Sequence, residues 1–236
     1  MPQWAGSCWY FLRFTDPNNA NEAWSKENEN YWMPVDLYIG GQEHAVLHLL
    51  YSRFWHHVLF DLGLVSTKEP FKKLYNQGMI LGDDGTKMSK SRGNVINPEV
   101  IMDEYGSDSM RLYEMFMGPL NKSKPWSTKG LQGCYRFVNK LWSIIVDENG
   151  NLSSKILDID VKDKDTLFLH HQTIKKLGDD IENLHFNTAV SQLMIYINHL
   201  QKCNTISRKL IEELVIILSP FVPHLSEEFW SLLGHS

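Results

Sequence analysis

The chain has 236 residues, 43% of them hydrophobic and 22% charged, which is typical of a folded globular protein and excludes an extended disordered chain. This length accommodates one large domain or two modest ones. The formal net charge is −5 and both halves of the sequence are slightly acidic, so composition alone gives no sign of nucleic-acid binding.

The cysteines and the apolar runs indicate a reduced, cytoplasmic protein. Cys8, Cys134 and Cys203 are far apart and odd in number, so they form no zinc-type Cys-x-x-Cys pair. The sequence has no signal peptide and no apolar run long enough to span a bilayer. We therefore expect a cytoplasmic location, no membrane partner and no resident metal.

The first part of the chain alternates between strand-like and helix-like runs. Residues 35–39 are rich in β-forming side chains and end at two glycines, and residues 79–81 predict another short strand. Between them the apolar residues follow a helical period up to Gly63. They are Val46, Leu47, Leu50, Phe54, Val58 and Leu59. A strand, a helix and a strand of this length indicate part of an α/β parallel sheet.

The next stretch predicts two consecutive helices. Pro98 is a good first residue for a helix, and Gly106 is a good stop after Tyr105. Ser107 or Asp108 is then placed to cap a second helix that runs to about residue 117.

The remainder of the chain has a helical pattern throughout. Ser127 and Asn187 are placed to cap helices whose apolar residues recur every three or four positions. Prolines 220 and 223 separate the last two helices, and residues 147–165 predict a polar surface connection. We expect an α/β domain over residues 1–120 and an antiparallel helix bundle over residues 121–236.

One segment within the α/β part carries an unusual density of charge and hydroxyl groups. Lys87-Met88-Ser89-Lys90-Ser91 follows a Gly82–Gly85 turn and precedes Gly93, so its backbone can approach a ligand closely. Two ammonium groups three residues apart can bind a polyphosphate, and the hydroxyls can add hydrogen bonds. The simpler interpretation is a solvated basic loop, and the order of the residues decides against it.

That order resembles, letter for letter, the signature loop of class I aminoacyl-tRNA synthetases. The segment 38–48, containing Gly40-Gly41-Gln42-Glu43-His44, resembles the leucyl-tRNA synthetases of bacteria, as do residues 1–10, 77–81 and 105–112. Leu218–His224 is typical of class Ia synthetases in general. The resemblance covers essentially the whole chain. It implies a Rossmann-like half of the catalytic domain followed by a helical bundle that contacts tRNA.

The resemblance also implies roles for particular residues. ATP or the adenylate would contact Gly41, Glu43, the backbone of Ile80 and Leu81, and Lys87, Lys90 and Ser91. The catalytic groups would be Lys87 and Lys90, which face the phosphates with Mg²⁺ bridging them. The leucine side chain would lie among Trp4, Ser7, Tyr10, Tyr38, His44 and His48.

The residues alone leave other interpretations open. His44 and His48 are four apart and could bind a metal, although Glu43 precedes the pair and no third ligand stands out. The aromatic residues could belong to an ordinary core, and Glu43 could be an acid favoured by a helix N-terminus.

The family's His-x-Gly-His signature does not occur in this sequence. We therefore expect a fragment, inactive alone, whose partner is the missing N-terminal half of the catalytic domain, either in the same parent chain or as a split subunit. The parent would be an ATP-dependent leucine–tRNA ligase of protein biosynthesis, with leucine and tRNA(Leu) as substrates. The alternative is a non-catalytic tRNA-binding module derived from a synthetase. A P-loop hydrolase is excluded because Gly-x-x-x-x-Gly-Lys-Ser/Thr is absent.

Overall fold

The computed structural model describes residues 5–235 of the chain. It divides into two compact units, residues 1–79 and residues 80–236. No helix within residues 5–235 is both long and apolar enough to cross a membrane.

The first unit contains a strand–helix–strand arrangement preceded by two short helices. In chain order its elements are α1 (Tyr10–Arg13), α2 (Lys26–Trp32), β1 (Tyr38–Gly41), α3 (His48–Asp61) and β2 (Leu74–Gln77). Strands β1 and β2 pair in parallel, with Tyr38 opposite Leu74 and Gly41 opposite Gln77. Parallel neighbours need a crossover between them, and here that crossover contains α3. The predicted parallel strands are confirmed.

Two details of the first unit differ from the sequence-based expectation. The partner of β1 is β2, at residues 74–77, and not the run at residues 79–81. The apolar stripe of α3 is also largely outward: Leu50, Phe54 and Val58 are 53%, 61% and 40% exposed. The buried side of this helix consists of His48, Leu49, Ser52 and His56. The helical period of the apolar residues identified which of them share a face of α3, but not which face is buried.

The second unit is mainly helical. Its helices are α4 (Pro98–Tyr105), α5 (Ser107–Phe116), α6 (Thr128–Ile145), α7 (Lys164–Glu182), α8 (Phe186–Leu200), α9 (Arg208–Leu218) and α10 (Pro223–Leu232). Its strands are β3 (Ile80–Leu81), β4 (Lys124–Pro125), β5 (Ile156–Leu157) and β6 (Ile206–Ser207). Parallel pairs form between β3 and β4 and between β5 and β6. One hydrophobic core runs through α5 to α10, so the predicted succession of short parallel strands and a helical domain is confirmed.

Only some of the helix caps that the sequence predicted are present in the structure. The Ser127 hydroxyl accepts a hydrogen bond from the Gly130 amide at 3.2 Å, which confirms the predicted cap of α6. The cap predicted at Asn187 is wrong, because α8 already begins at Phe186 and no side chain caps it. Neither Ser107 nor Asp108 caps α5, which follows Gly106 directly.

Asp108 caps a different helix, 116 residues further along the chain. Its carboxylate accepts hydrogen bonds from the Leu225 amide and the His224 Nδ1, both at 2.8 Å, at the first turn of α10. Arg111, on the same helix, donates to the Pro220 carbonyl at 2.9 Å. These contacts join α5 to the turn that precedes α10.

Candidate functional site

The first unit contains a cavity of about 450 Å³ at the end of β1. It is lined by every described residue for which the sequence implied a leucine-pocket role, together with Gly41 and Glu43: Ser7, Tyr10, Tyr38, Gly41, Glu43, His44 and His48. Trp4, the remaining pocket residue, lies outside the described residues. Gln77, at the end of β2, also lines the cavity and had not been predicted.

A chain of hydrogen bonds fixes the side chains on one wall of this cavity. The Tyr10 and Tyr38 hydroxyls are 2.5 Å apart, and the Tyr38 hydroxyl is 2.6 Å from His48 Nε2. His48 Nδ1 is 3.2 Å from the Ser7 hydroxyl and 3.3 Å from that of Ser52. The wall therefore joins α1, β1 and α3 through polar atoms.

Burial favours the uncharged forms of Tyr38 and His48 in this wall. Burial first, and then the neighbouring Tyr10, raise the pKa of Tyr38 well above its usual value. Burial, followed by the charge of His44, lowers the pKa of His48 below its usual value. Both shifts favour the uncharged forms of these two side chains at neutral pH. The Tyr38 ring stacks on Phe71 at 3.9 Å between centroids, a support that had not been predicted.

Gly41 and Glu43 form a second feature of the same cavity. A Cβ atom at Gly41 would lie 2.2 Å from the Glu43 carboxylate, so any side chain at residue 41 would displace that carboxylate. Glu43 forms no ion pair with any residue that the structure describes. A carboxylate that lies beside the backbone of a glycine can accept hydrogen bonds from the hydroxyls of a ligand.

The lysine segment belongs to the second unit, where it follows a tight turn. Asp84 accepts hydrogen bonds from the amide and hydroxyl of Thr86, each at 2.9 Å. Bonds from the Thr86 amide, and then from its hydroxyl, lower the pKa of Asp84. After the segment, residues 90–92 form one 3₁₀ turn that ends at Gly93, whose φ of 69° favours glycine.

Asn94 connects the two ends of the lysine segment. Its side-chain oxygen accepts from the Ser89 amide at 2.9 Å, and its amide nitrogen donates to the Thr86 hydroxyl at 3.1 Å. The same nitrogen lies 3.3 Å from both oxygens of Asp84. The sequence analysis assigned no role to Asp84 or Asn94. The sequence signal that could have indicated these turn contacts is a polar side chain next to a glycine on each side of the segment.

This arrangement leaves the basic groups of the segment available for a ligand. Among residues 5–235, neither Lys87 nor Lys90 has an ion-pair partner. Ser91 lies within the 3₁₀ turn, its hydroxyl 3.2 Å from that of Ser89. In β3, the Leu81 carbonyl already accepts from the Trp126 amide at 2.9 Å. Ile80 and Leu81 therefore lie in a fixed strand just before the turn.

The described residues do not support the alternative of a metal bound by histidines. The His44 and His48 rings are edge-to-face at 6.2 Å. No group of three or more metal-ligating side chains occurs in the part of the chain that the structure describes. The structure thus places the predicted residues in two separate sets. The first unit contains the pocket with Gly41 and Glu43, and the second unit contains the lysine segment with Ile80 and Leu81.

Comparison with known proteins finds two families that are similar to parts of this chain. Residues 14–126 match the family of class I tRNA synthetases for isoleucine, leucine, methionine and valine. Residues 163–236 match the anticodon-binding domain of tRNA ligases. Over both of these regions the chain is therefore similar to tRNA synthetases of class I.

Within that class the similarity is to leucine–tRNA ligases. The chain is 60% identical to the enzyme of Chloroherpeton thalassium over 235 residues, and 56% identical to that of Pelodictyon phaeoclathratiforme. It covers 29% of the length of each relative. In structure it resembles the LeuRS–tRNA–LeuAMS ternary complex of Agrobacterium radiobacter K84, with a TM-score of 0.82 and 35% identity over 97% of this chain and 31% of that one.

A more distant relative shares the fold alone. The methionyl-tRNA synthetase of Mycobacterium tuberculosis superposes with a TM-score of 0.70 over 99% of this chain and 50% of that one, at 14% identity. The arrangement of short strands followed by helices is thus retained where most of the sequence has changed.

Proposed function

We propose that this chain is part of an ATP-dependent leucine–tRNA ligase that activates leucine and transfers it to tRNA(Leu). The observation that carries the proposal is 60% identity to a leucine–tRNA ligase along the full length of the chain. Residues 1–120 would contribute to the catalytic domain, and residues 121–236 would form a helical tRNA-binding domain. Because the relatives are more than three times longer, we expect the chain to be inactive by itself.

The cavity of the first unit has the chemistry that a leucine side chain requires. Tyr10, Tyr38 and His48 would present ring surface to the isobutyl group while their polar atoms bond to one another. Because these atoms satisfy each other, an apolar ligand leaves none of them without a hydrogen bond. An apolar pocket discriminates poorly between ligands that differ by one methylene, about 1–3 kcal/mol. Leucine and isoleucine are isomers of equal size, so the pocket can separate them only by the shape of the branched side chain.

Each of the two polar features offers groups of the kind that bind ATP. The Glu43 carboxylate would accept hydrogen bonds from the ribose hydroxyls, with the Gly41 backbone beside it and the backbone of Ile80 and Leu81 against adenine. Lys87 and Lys90 would contact the phosphates, and Ser91 would add a hydrogen bond. The protein residues offer no cluster of three metal ligands within 5–235. Mg²⁺ would therefore be held mainly by the phosphates, whose charge it would partly neutralise.

In the first reaction an oxygen of the leucine carboxylate would attack the α-phosphorus of ATP while the bond to the β-phosphate breaks. Pyrophosphate leaves with the bonding electrons, and leucyl-adenylate is formed. Lys87 and Lys90 would stabilise the charge that accumulates on the leaving group. The 3′-terminal adenosine of tRNA(Leu) would then attack the leucyl carbonyl, and AMP would leave.

Leucine-dependent exchange of pyrophosphate into ATP tests this function. It should be measured on the gene product as it is encoded in the cell and on the present chain alone, with isoleucine as the comparison. We expect exchange with leucine in the former and none in the latter. Exchange by the chain alone would contradict the expectation that a fragment is inactive. A folded gene product without leucine exchange would overturn the proposed function.

Replacing one lysine tests the role of the loop. In the gene product, Lys90→Ala should lower kcat for exchange by about 10²–10³-fold, the size of effect typical for loss of one charge-stabilising group. The leucine KM should change little, because Lys90 would act on the phosphates. Lys155→Ala, which removes an exposed lysine elsewhere, is the matched control. A rise in leucine KM without a loss of kcat would show that the assignment is wrong.

A further inference from the structure

The side-chain amide of Asn94 uses its donors and its acceptor within the protein. Its oxygen accepts from the Ser89 amide at 2.9 Å, and its nitrogen donates to the Thr86 hydroxyl at 3.1 Å. The same nitrogen lies 3.3 Å from each oxygen of Asp84. A side-chain amide has two N–H donors, and these contacts occupy both of them. Asn94 therefore acts on a ligand through the residues that it holds, and not by donating to the ligand itself.

Gly82 provides the space in which these contacts form. A Cβ atom at residue 82 would lie 2.8 Å from Asn94 Nδ2 and 2.8 Å from an oxygen of Asp84. A side chain at residue 82 would consequently push these two groups away. The Gly82 amide also donates to the Thr86 carbonyl at 2.8 Å, which closes the turn before the lysine segment. We call these residues the Asn94 cluster: Gly82, Asp84, Thr86, Ser89 and Asn94.

The Asn94 cluster fixes the backbone next to each lysine of the segment. Thr86 directly precedes Lys87, and Ser89 directly precedes Lys90. Both lysine side chains are exposed, whereas Thr86, Ser89 and Asn94 are partly buried. The amide of Asn94 thus holds two positions that set the spacing from which the two ammonium groups reach a ligand.

Apolar contacts anchor this part of the chain independently of the cluster. Met88, inside the segment, and Ile96, after it, pack against the hydrophobic core of the second unit. The general path of the backbone therefore does not depend on Asn94. The contribution of Asn94 is the local position of residues 86 and 89.

We propose that Asn94 is a positioning residue for Lys87 and Lys90, because its amide holds the two lysines at a fixed spacing before the phosphates bind. The inference rests on the proposed function and deepens it by naming a residue outside the lysine segment. Charged groups stabilise a transition state best when they are already in place, because no reorganisation is then needed during the reaction. An amide, unlike a carboxylate, supplies both the acceptor and the donors that this position requires.

The charge of Asp84 makes the identity of residue 94 testable. Hydrogen bonds from the Thr86 amide, and then from its hydroxyl, lower the pKa of Asp84, which favours the charged carboxylate at neutral pH. Asn94→Asp keeps the acceptor for the Ser89 amide but places a second carboxylate against Asp84 without an N–H between them. Asn94→Ala removes the contacts without adding charge. We therefore expect Asn94→Asp to be the more damaging change.

Leucine-dependent exchange by the gene product measures the effect. Asn94→Asp should lower kcat by about 10²-fold, the order of loss that follows when reacting groups are misplaced by about 1 Å. Asn94→Ala should lower kcat less. Neither variant should change the leucine KM appreciably, since the proposed leucine pocket is lined by residues of the first unit. Asn149→Ala, at an exposed position elsewhere in the second unit, is the matched control, and thermal melting verifies that all variants are folded.

Exchanging the two side chains tests the contact itself. In Asp84→Asn/Asn94→Asp the amide at residue 84 can donate to the carboxylate at residue 94, which still accepts from the Ser89 backbone. The net charge equals that of the wild type. We expect the double variant to recover about ten-fold of the kcat that Asn94→Asp loses, a coupling typical of residues in one hydrogen-bond network. A double variant no better than Asn94→Asp would overturn the proposal.

Trypsin cleavage of the gene product reports the order of the segment without relying on activity. The segment and the turn that follows it offer cleavage sites after Lys87, Lys90 and Arg92. Asn94→Asp should raise the rate of cleavage at these sites several-fold, because a less ordered segment opens more often. Cleavage after the exposed Lys155 is the internal control and should not change. Equal rates at the segment in wild type and variant would contradict the inference.

The inference and the proposed function can fail separately. Leucine exchange by the wild type with equal kcat in Asn94→Asp and Asn149→Ala would reject the role of Asn94 and retain the function. A folded wild-type gene product without leucine exchange would reject both. A lower melting temperature with parallel losses of kcat and leucine affinity would assign Asn94 to the stability of the fold and contradict a positioning role.

Discussion

The two units bury apolar surface to very different extents. In residues 80–235 the core contains Leu131, Leu141, Leu193, Ile197 and many other fully buried side chains. In residues 5–79 the corresponding cluster has four buried members: Phe11, Leu12, Met33 and Val65. The same unit exposes large apolar residues that a self-sufficient domain would bury, among them Phe14 at 72% and Val46 at 73%.

Polar contacts hold the first unit where apolar contacts are few. The Arg13 guanidinium donates to four backbone carbonyls at 2.8–3.0 Å, which fixes the loop that follows α1. The buried Glu29 accepts from the amide and hydroxyl of Ser66 at 3.0 and 2.9 Å. The wall of the cavity at the end of β1 is built in the same way. The candidate site of the first unit is thus positioned by directional bonds, while the helical unit obtains stability from burial.

The largest difference in stability between the two units should follow from a substitution that removes core volume in the second unit. Leu193→Ala deletes a fully buried side chain of α8 and should cost about 2–5 kcal/mol of the free energy of unfolding, because the cavity cannot collapse fully. Ile195→Ala, on the exposed side of the same helix, is the control. Hydrogen exchange resolved by residue should show lost protection in α8 and little change in α3. Equal losses in both helices would mean that the two units unfold together.

A smaller effect is expected at the contact between α5 and α10. Asp108→Asn weakens two charge-assisted hydrogen bonds to the first turn of α10 and should cost about 1–3 kcal/mol. Asp103→Asn, an exposed position on α4, changes the same charge without these partners. Urea unfolding of both variants measures the difference. If Asp103→Asn destabilised as much, net charge rather than this contact would be responsible.

A comparable test in the first unit removes one hydroxyl group from the wall of the cavity. Tyr38→Phe keeps the stack on Phe71 but breaks the chain from Tyr10 to His48, at a cost of about 1 kcal/mol. The leucine KM of the gene product should rise several-fold, because Tyr10 and His48 lose their common partner. Tyr75→Phe on β2, the neighbouring strand, is the control. An unchanged leucine KM in Tyr38→Phe would show that hydrogen bonds do not position the pocket.

The comparison also explains what the sequence could predict. Local signals gave the bounds of α4, from Pro98 and Gly106, and the cap at Ser127, because each depends on neighbouring residues. The partner of Asp108 could not be predicted, since it lies more than a hundred residues away. The described residues that were assigned to the leucine pocket line one cavity, and their assignment rests on a family resemblance. Their residue types alone favour an ordinary core, and only coordinates show which aromatic residues share a cavity.

The smallest effect concerns acid stability of the first unit. Hydrogen bonds from Arg53 and, to a smaller extent, from His57 lower the pKa of Glu69 from the usual 4.5 to about 2, against burial, which raises it. A carboxyl whose pKa is lower in the folded state stabilises above pH 4.5, and this contribution is lost as the pH falls towards 2. Because both side chains are about half exposed, screening limits the effect to about 0–1 kcal/mol. The difference in stability between wild type and Glu69→Gln should therefore be largest at neutral pH and low salt, and should vanish near pH 2. A difference that is independent of pH would assign the stabilisation to packing of the Arg53 side chain and not to its charge.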